Sequence, residues 1–198
     1  SWDADTRVDL VDKELLLAMK KAGCRMMSYG IEHGEFIQEI KGGNATLEQS
    51  EKAVKWAHEA KIQTAGYFMI GLPNETPKTI RKTIDFAKKL DCTYATFSIT
   101  MPFPGNKLYD EAVKSGLIQL DDTWEKFVYG GLGAGGIQAP VLTNDSLAAS
   151  DLEYWTKKAF REFYLRPSYI MKKLLSVRSL NDLRTYYNGY RMMKKDTV

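Results

Sequence analysis

Between residues 13 and 22 the apolar positions Leu15, Leu16, Met19 and Ala22 recur at helical spacing, after Asp12 as N-cap and before Gly23 as a stop. That spacing predicts a helix. Arg25 to Ile31 is too short for a second one and is closed by Glu32-His33-Gly34, which predicts a strand. Thr46 and Gln49 stand at capping-box spacing and open a long helix with Ala53, Trp56, Ala57 and Ala60 along its inner stripe. Gln63 to Ile70 is apolar and aromatic and gives way to Gly71-Leu72-Pro73, which predicts a second strand. Thr76-Pro77 marks the next helix start, carried by Ile80, Ile84, Phe86, Ala87 and Leu90. Tyr94 to Thr100 reads as a third strand, followed by the loop Pro102-Phe103-Pro104-Gly105.

Helices and strands that alternate in this way indicate an α/β fold with a parallel sheet, because parallel neighbours need a crossover between them. Past residue 118 the alternation stops. A Trp- and Gly-rich stretch leads to Pro140, and Ser150 with Glu153 has capping spacing ahead of Leu152, Trp155, Ala159, Phe160 and Phe163. Arg166-Pro167 breaks that helix, and further helical segments follow. The expected organisation is an α/β body over 1–118 and a Gly-rich loop with a helical C-terminal extension over 119–198.

Alternation along the strands separates two faces that differ in kind. Met27, Tyr29, Ile31, Phe68, Ile70, Ala95, Phe97 and Ile99 form one, apolar enough to lie under helices. Ser28, Gly30, Glu32, Tyr67, Met69, Gly71, Thr96, Ser98 and Thr100 form the other, with its one charge, Glu32, at a strand's carboxyl end. Ligands of parallel α/β folds sit at those ends. The same pattern serves equally for a barrel interior filled by Ser and Thr, with Glu32 solvated in a loop.

Composition narrows the classes. The chain has 198 residues, 44% hydrophobic and 27% charged, which suits a globular domain and not a disordered one. Without an apolar run near the length needed to cross a bilayer, no membrane span is expected. Twenty-eight basic and 25 acidic residues leave a net charge of +3, too small to argue for nucleic acid. Cys24 and Cys92 stand far apart, with no disulfide framework and no metal-ligand spacing, so no metal site is expected and the chain reads as cytoplasmic. It begins at Ser1-Trp2-Asp3, without Met, and is expected to be a piece of a longer protein.

Three segments carry a resemblance: Tyr29-Gly30-Ile31-Glu32-His33-Gly34, then Gly66 to Thr76 (GYFMIGLPNET), then Phe97 to Gly105 (FSITMPFPG). In this order the chain resembles the radical S-adenosylmethionine superfamily, and within it the branch that often carries a cobalamin domain and includes the anaerobic magnesium-protoporphyrin ester cyclases. The resemblance implies a partial TIM-type (βα) barrel, of which this chain supplies the second half. It implies S-adenosylmethionine and a 4Fe-4S cluster in the full protein, with cobalamin in the branch, a small-molecule substrate, and a 5′-deoxyadenosyl radical. By position, Glu32 matches the residue that bonds the ribose or methionine part, Met69 and Gly71 the strand where adenine packs, and Ser98, Met101 and Pro102 the strand end bordering the adenine. His33 departs from the family, which usually has Ser there, and the connection from Glu35 to Thr46 is shortened.

The three-cysteine loop that holds the cluster is not in this sequence. The chain alone is therefore expected to bind no cluster and to be inactive, with no residue assignable as catalytic. Gly131 to Gly136 spells G-x-G-x-x-G, but Ile137 to Pro140 follows where a phosphate-binding helix should begin, so it reads as a loop. The C-terminal mixture of Lys157, Lys158, Arg161, Arg166, Lys172 and Lys173 with Tyr164, Tyr169, Tyr186 and Tyr187 reads more simply as solvated amphipathic helix than as an RNA surface. A radical tRNA-modifying enzyme and a non-catalytic scaffold that keeps the barrel remain the alternatives. The open sheet edge of a half barrel is expected to be covered by the helical tail or, in the isolated piece, by a homodimer.

Overall fold

The computed structural model describes residues 1–41, 45–105, 107–114, 116, 146–177, 179, 184, 186–188 and 191. Four strands, β1 (Trp2–Thr6), β2 (Cys24–Glu32), β3 (Gln63–Ile70) and β4 (Tyr94–Ile99), form one sheet in the order β1-β2-β3-β4. All three pairings are parallel. The crossovers carry α1 (Lys13–Lys21) after β1, α2 (Ile37–Lys41) and α3 (Leu47–Glu59) after β2, and α4 (Pro77–Leu90) after β3. α5 (Lys107–Lys114) follows β4, and α6 (Ala149–Tyr164) and α7 (Pro167–Leu175) make the helical extension. An α/β half barrel with parallel strands is the observed fold.

Local chemistry starts and stops these elements. Asp12 accepts the Leu15 N–H at 2.7 Å to open α1, and Gly23, at φ +94°, ends it where a side chain would be strained. Thr46 Oγ1 caps α3 on the Gln49 N–H at 3.1 Å, yet the reciprocal bond of the expected box is not made: Gln49 Nε2 donates instead to the Val8 carbonyl, 3.1 Å away. Thr76 and Thr79 do form a reciprocal box on α4, with Pro77 in its first turn.

Three expectations are corrected. β1 is a fourth strand that hydrophobic pattern did not predict, since its alternation sets Asp3 and Asp5 on one side and, of its five residues, leaves only Trp2 and Ala4 as apolar positions beside Thr6 on the other. On α1 only Leu16 is fully buried and Met19 packs partly against the core, while Leu15 and Ala22 are exposed. The N-cap of α6 is Ala148 rather than Ser150, and Asp151, not Glu153, reaches back to accept the Ala148 N–H at 2.9 Å.

One core lies between the sheet and its helices. Tyr29, Ile31, Phe68, Ile70 and Phe97 pack there against Leu16, Ala53, Ala57, Ile80, Ile84 and Ala87, as the alternation requires. α6 adds Leu152, Ala159 and Phe163 to the same core, and Phe97 meets Phe160 edge-on at 5.3 Å. Residue 118, where the two expected units divide, and the Gly131 to Gly136 segment lie outside the described residues. On the other face of the sheet Asp5, Tyr67 and Tyr94 are exposed, and Met69, Thr96 and Ser98 are half-buried. No helix among the described residues is long and apolar enough to cross a membrane.

Candidate functional site

The parallel register gathers the expected site residues at one end of the sheet. Glu32 is the last residue of β2. Met69 and Ser98 are direct partners across β3 and β4, so their side chains stand side by side on the open face. Gly71 follows the end of β3, and Met101 and Pro102 follow Thr100, whose N–H donates to the Ile70 carbonyl at 2.7 Å. All six lie at or just beyond the carboxyl ends of three adjacent strands.

Glu32 is held in a conformation that a side chain normally avoids. Its φ is +65°, and the His33 N–H donates to the Ile31 carbonyl at 2.8 Å, closing a tight three-residue turn around it. Such turns cost of order 1–3 kcal/mol and persist where surrounding bonds over-determine them. The β2–β3 register also slips between Gly30 and Glu32. The carboxylate consequently lies back over Gly30: a Cβ there would fall 2.8 Å from both Glu32 Oε1 and Lys41 Nζ. Glycine at position 30 makes the room.

Lys41, on α2, is the partner of that carboxylate, with Nζ 2.6 Å from Oε1 and both side chains largely shielded. Arg7 fixes the end of α2 by donating to the Lys41 carbonyl at 2.9 Å while its Nε and Nη2 donate to the two carboxylate oxygens of Asp9, each at 2.9 Å. A short connection thus delivers a cation to the strand ends. Sequence reading missed Lys41 because nothing local marks one lysine among many as the one that folds back onto β2.

Gly71 is strained in a way only glycine tolerates, at φ +92°, and is buried. Its missing Cβ would press on the methyl groups of Leu152 at 3.2 Å, so the close approach it permits in this chain is that of α6. The amides of Gly71 and Leu72 both donate to Glu75 Oε2, the latter at 3.1 Å. Glu75 Oε1 lies 2.7 Å from His33 Nε2, and both side chains are fully buried. Neither residue was marked for this from sequence, although Glu75 is the one carboxylate in the turn after β3.

The donor set does not suit a metal cluster. Cys24 and Cys92 are buried and unpaired, and burial, the main cause, raises both thiols, that of Cys92 to about 12, so neither offers a thiolate at neutral pH. No group of three or more His, Cys, Asp or Glu among the described residues could hold an ion. Polar ligand chemistry suits the strand ends better: besides the Glu32–Lys41 pair, Thr100 is 1% exposed and its Oγ1 has no partner among the described residues. A separate open groove of about 620 Å³, lined by Lys88, Lys157, Lys158, Arg161 and Glu162, lies between α4 and α6 on the helical layer, where none of the strand-end residues reaches. Its Glu162 already binds Arg81 at 2.7 Å and Lys88 at 3.0 Å.

A parallel βα sheet with one apolar face, one open face and the Glu32–Lys41 pair at its carboxyl end defines a half barrel of the α/β class. Residues 4–87 match the model of the Radical SAM superfamily, and the chain belongs to that superfamily. It is 34% identical, over 96% of its own length and 41% of the relative's, to an uncharacterized methyltransferase of Pyrococcus horikoshii. It is 29% identical, over 83% of its length and 26% of the relative's, to the anaerobic magnesium-protoporphyrin IX monomethyl ester cyclase of Cereibacter sphaeroides. Among solved structures it superposes on the radical S-adenosylmethionine methyltransferase TsrM of Kitasatospora setae, solved with cobalamin and a [4Fe-4S] cluster bound. That match has a TM-score of 0.61 and 18% identity and covers 97% of this chain and 43% of the other, which speaks for a shared fold. The chain spans less than half the length of these relatives.

Proposed function

We propose that this chain is the second half of a radical S-adenosylmethionine barrel, that its strand-end residues hold the amino-acid and nucleoside parts of S-adenosylmethionine, and that the cluster is held by a part of the parent protein outside it. The observation that carries this reading is the Glu32–Lys41 pair over Gly30. A carboxylate and an ammonium one hydrogen bond apart complement the two charged ends of an α-amino acid, and Glu32 can equally accept from ribose hydroxyls. Met69, with Ser98 beside it, offers a soft apolar and polar wall for a base, and Met101 with buried Pro102 borders it. Gly71 supports that wall through its contact with Leu152. When bound, S-adenosylmethionine supplies radical chemistry to the superfamily. The residues of this chain bind and orient it, and Arg7 keeps Lys41 in reach of Glu32.

The names of the relatives support a methyl-transferring or ring-forming parent with a small-molecule substrate, and cobalamin as a second cofactor of that parent. Residues 119–198 would form the extension that closes one side of the barrel, and the unpaired thiols suit a cytoplasmic location. The isolated chain is expected to self-associate through its open edge as a homodimer.

Calorimetry with S-adenosylhomocysteine, which has both charged ends and cannot be cleaved like the cofactor, tests the reading. The isolated chain should bind weakly and the intact parent more tightly. Glu32→Gln in the parent should weaken binding by about tenfold, the loss of one charge-assisted hydrogen bond. Wild-type affinity in that variant overturns the assignment of Glu32.

A further inference from the structure

The strained turn at Glu32 is held from the neighbouring residue, and His33 holds it by three bonds. Its Nδ1 accepts the N–H groups of Glu35 at 3.0 Å and Phe36 at 3.1 Å, and its ring stacks on Phe36 at 4.5 Å and 6°. A nitrogen that accepts two amides carries no proton, so the hydrogen of the neutral ring is on Nε2 and is donated to Glu75 Oε1, 2.7 Å away. Glu75 has the mirror-image task. Its other oxygen accepts the amides of Gly71 and Leu72. Two strand-end turns are therefore each pinned by two amide bonds and joined to one another by the buried bond between His33 and Glu75, 42 residues apart in sequence.

We propose that His33 and Glu75 are positioning residues, whose buried bond fixes the Glu32 turn and sets its place relative to the Gly71-Leu72 turn at the strand ends. As far as it concerns ligand affinity, this rests on the function proposed above. As far as it concerns the turns, it stands on the geometry alone. The chemistry allows no isosteric replacement. At least three donors converge on the Glu75 carboxyl group, the Gly71 and Leu72 amides on one oxygen and His33 Nε2–H on the other, so a carboxamide at position 75 would set its own NH₂ against at least one of them in either orientation. At position 33, Asn can replace Nδ1 as acceptor but cannot reach Glu75, whereas Gln can reach Glu75 but leaves the Glu35 and Phe36 amides unserved.

The experiment uses the intact parent protein carrying His33→Asn, His33→Gln, Glu75→Gln or Glu32→Gln, read by hydrogen exchange, melting temperature and S-adenosylhomocysteine affinity. In His33→Asn the amides of Gly71 and Leu72 should exchange at least tenfold faster, although the substitution is remote in sequence. Unchanged exchange there overturns the coupling whatever the ligand does. Affinity should fall about tenfold in His33→Asn and Glu75→Gln and be partly restored in His33→Gln, which keeps the link. A lower melting temperature with wild-type affinity in both Asn and Gln variants would make the pair merely structural and overturn the positioning role. If wild type binds no ligand, the functional reading fails, and the exchange result still decides whether the two turns are coupled.

Discussion

The Tyr164 hydroxyl closes the outer edge of the sheet on Ala95, donating to its carbonyl at 2.8 Å and accepting its N–H at 3.0 Å. Among the described residues β4 is an edge strand, and Ala95 would otherwise present both backbone groups there without a strand partner. One side chain of α6 replaces a missing strand at that point, and Tyr169 adds a bond from its hydroxyl to the Thr93 carbonyl at 3.2 Å. Tyr164→Phe keeps the ring, with its contacts to Phe160, Phe163 and Tyr169, and strips both bonds from Ala95, which is 1% exposed. The expected cost is about 1–3 kcal/mol, the penalty for buried backbone groups left unsatisfied. Urea unfolding of the two proteins measures it, and a difference below the error of the method would mean that water reaches the edge.

Gly34 is the place where the β2 turn touches α4. Its N–H donates to Thr83 Oγ1 at 3.0 Å, and a Cβ would sit 2.6 Å from Thr83 Cα and 2.7 Å from the Lys82 carbonyl oxygen. These are backbone atoms of a helix and cannot swing aside. Gly34→Ala should therefore destabilise the protein by about 1–3 kcal/mol through overpacking, despite Ala's lower chain entropy in the unfolded state. A thermal melt that is unchanged or raised would show that α4 can slide away from the turn.

The helices α3 and α4 and the strands β2 to β4 were legible because each shows its period strongly and carries its cap in sequence: Thr46 and Thr76 cap the helices expected of them. β1 was not, because a strand with aspartates on its open face has no apolar alternation to read. The site was half legible. Glu32, Met69 and Ser98 could be placed at strand ends because the strands could be, and the resemblance supplied their roles. Lys41, Arg7, His33 and Glu75 act through contacts between separate turns, and spacing within one element carries no signal of which turns will meet.

Acid should loosen the helical extension before the sheet. Asp91, in the left-handed conformation that ends α4, binds Arg166 at 2.8 Å and also Lys172. Burial alone would raise its carboxyl group, and the bonds to Lys172 and Arg166 outweigh burial and hold it below the usual value. The same balance holds Glu162 low against Arg81 and Lys88. Carboxylates depressed in the folded state bind protons more readily when unfolded, so their contribution is complete above the ordinary range of about 4 and is lost as pH falls through their lowered folded values. Melting temperature should decline gently as pH falls below about 6.5, where the unfolded chain protonates the His58 imidazole that burial holds low in the fold, and fall steeply below about 4, and Asp91→Asn should melt lower at pH 7 while losing part of that acid slope. A variant with the full wild-type slope would place the sensitivity elsewhere.

The opposite edge of the sheet sets the last expectation. β1 has no strand on its outer side among the described residues, and a two-fold pairing of two copies through it is the simplest cover for an isolated chain. Antiparallel pairing centred on Ala4 would set Asp3 of each copy against Asp5 of the other, and both aspartates are exposed. Arg25, 3.7 Å from Asp3, offsets only part of that repulsion. The homodimer of the isolated chain should therefore be weak at low ionic strength and tighten as salt screens the like charges, the reverse of an ion-paired interface. Asp5→Asn should remove most of the salt dependence and strengthen association. Light scattering over a hundredfold range of concentration at low and at 0.5 M salt decides the matter, because a chain that stays monomeric under every condition closes its β1 edge from within.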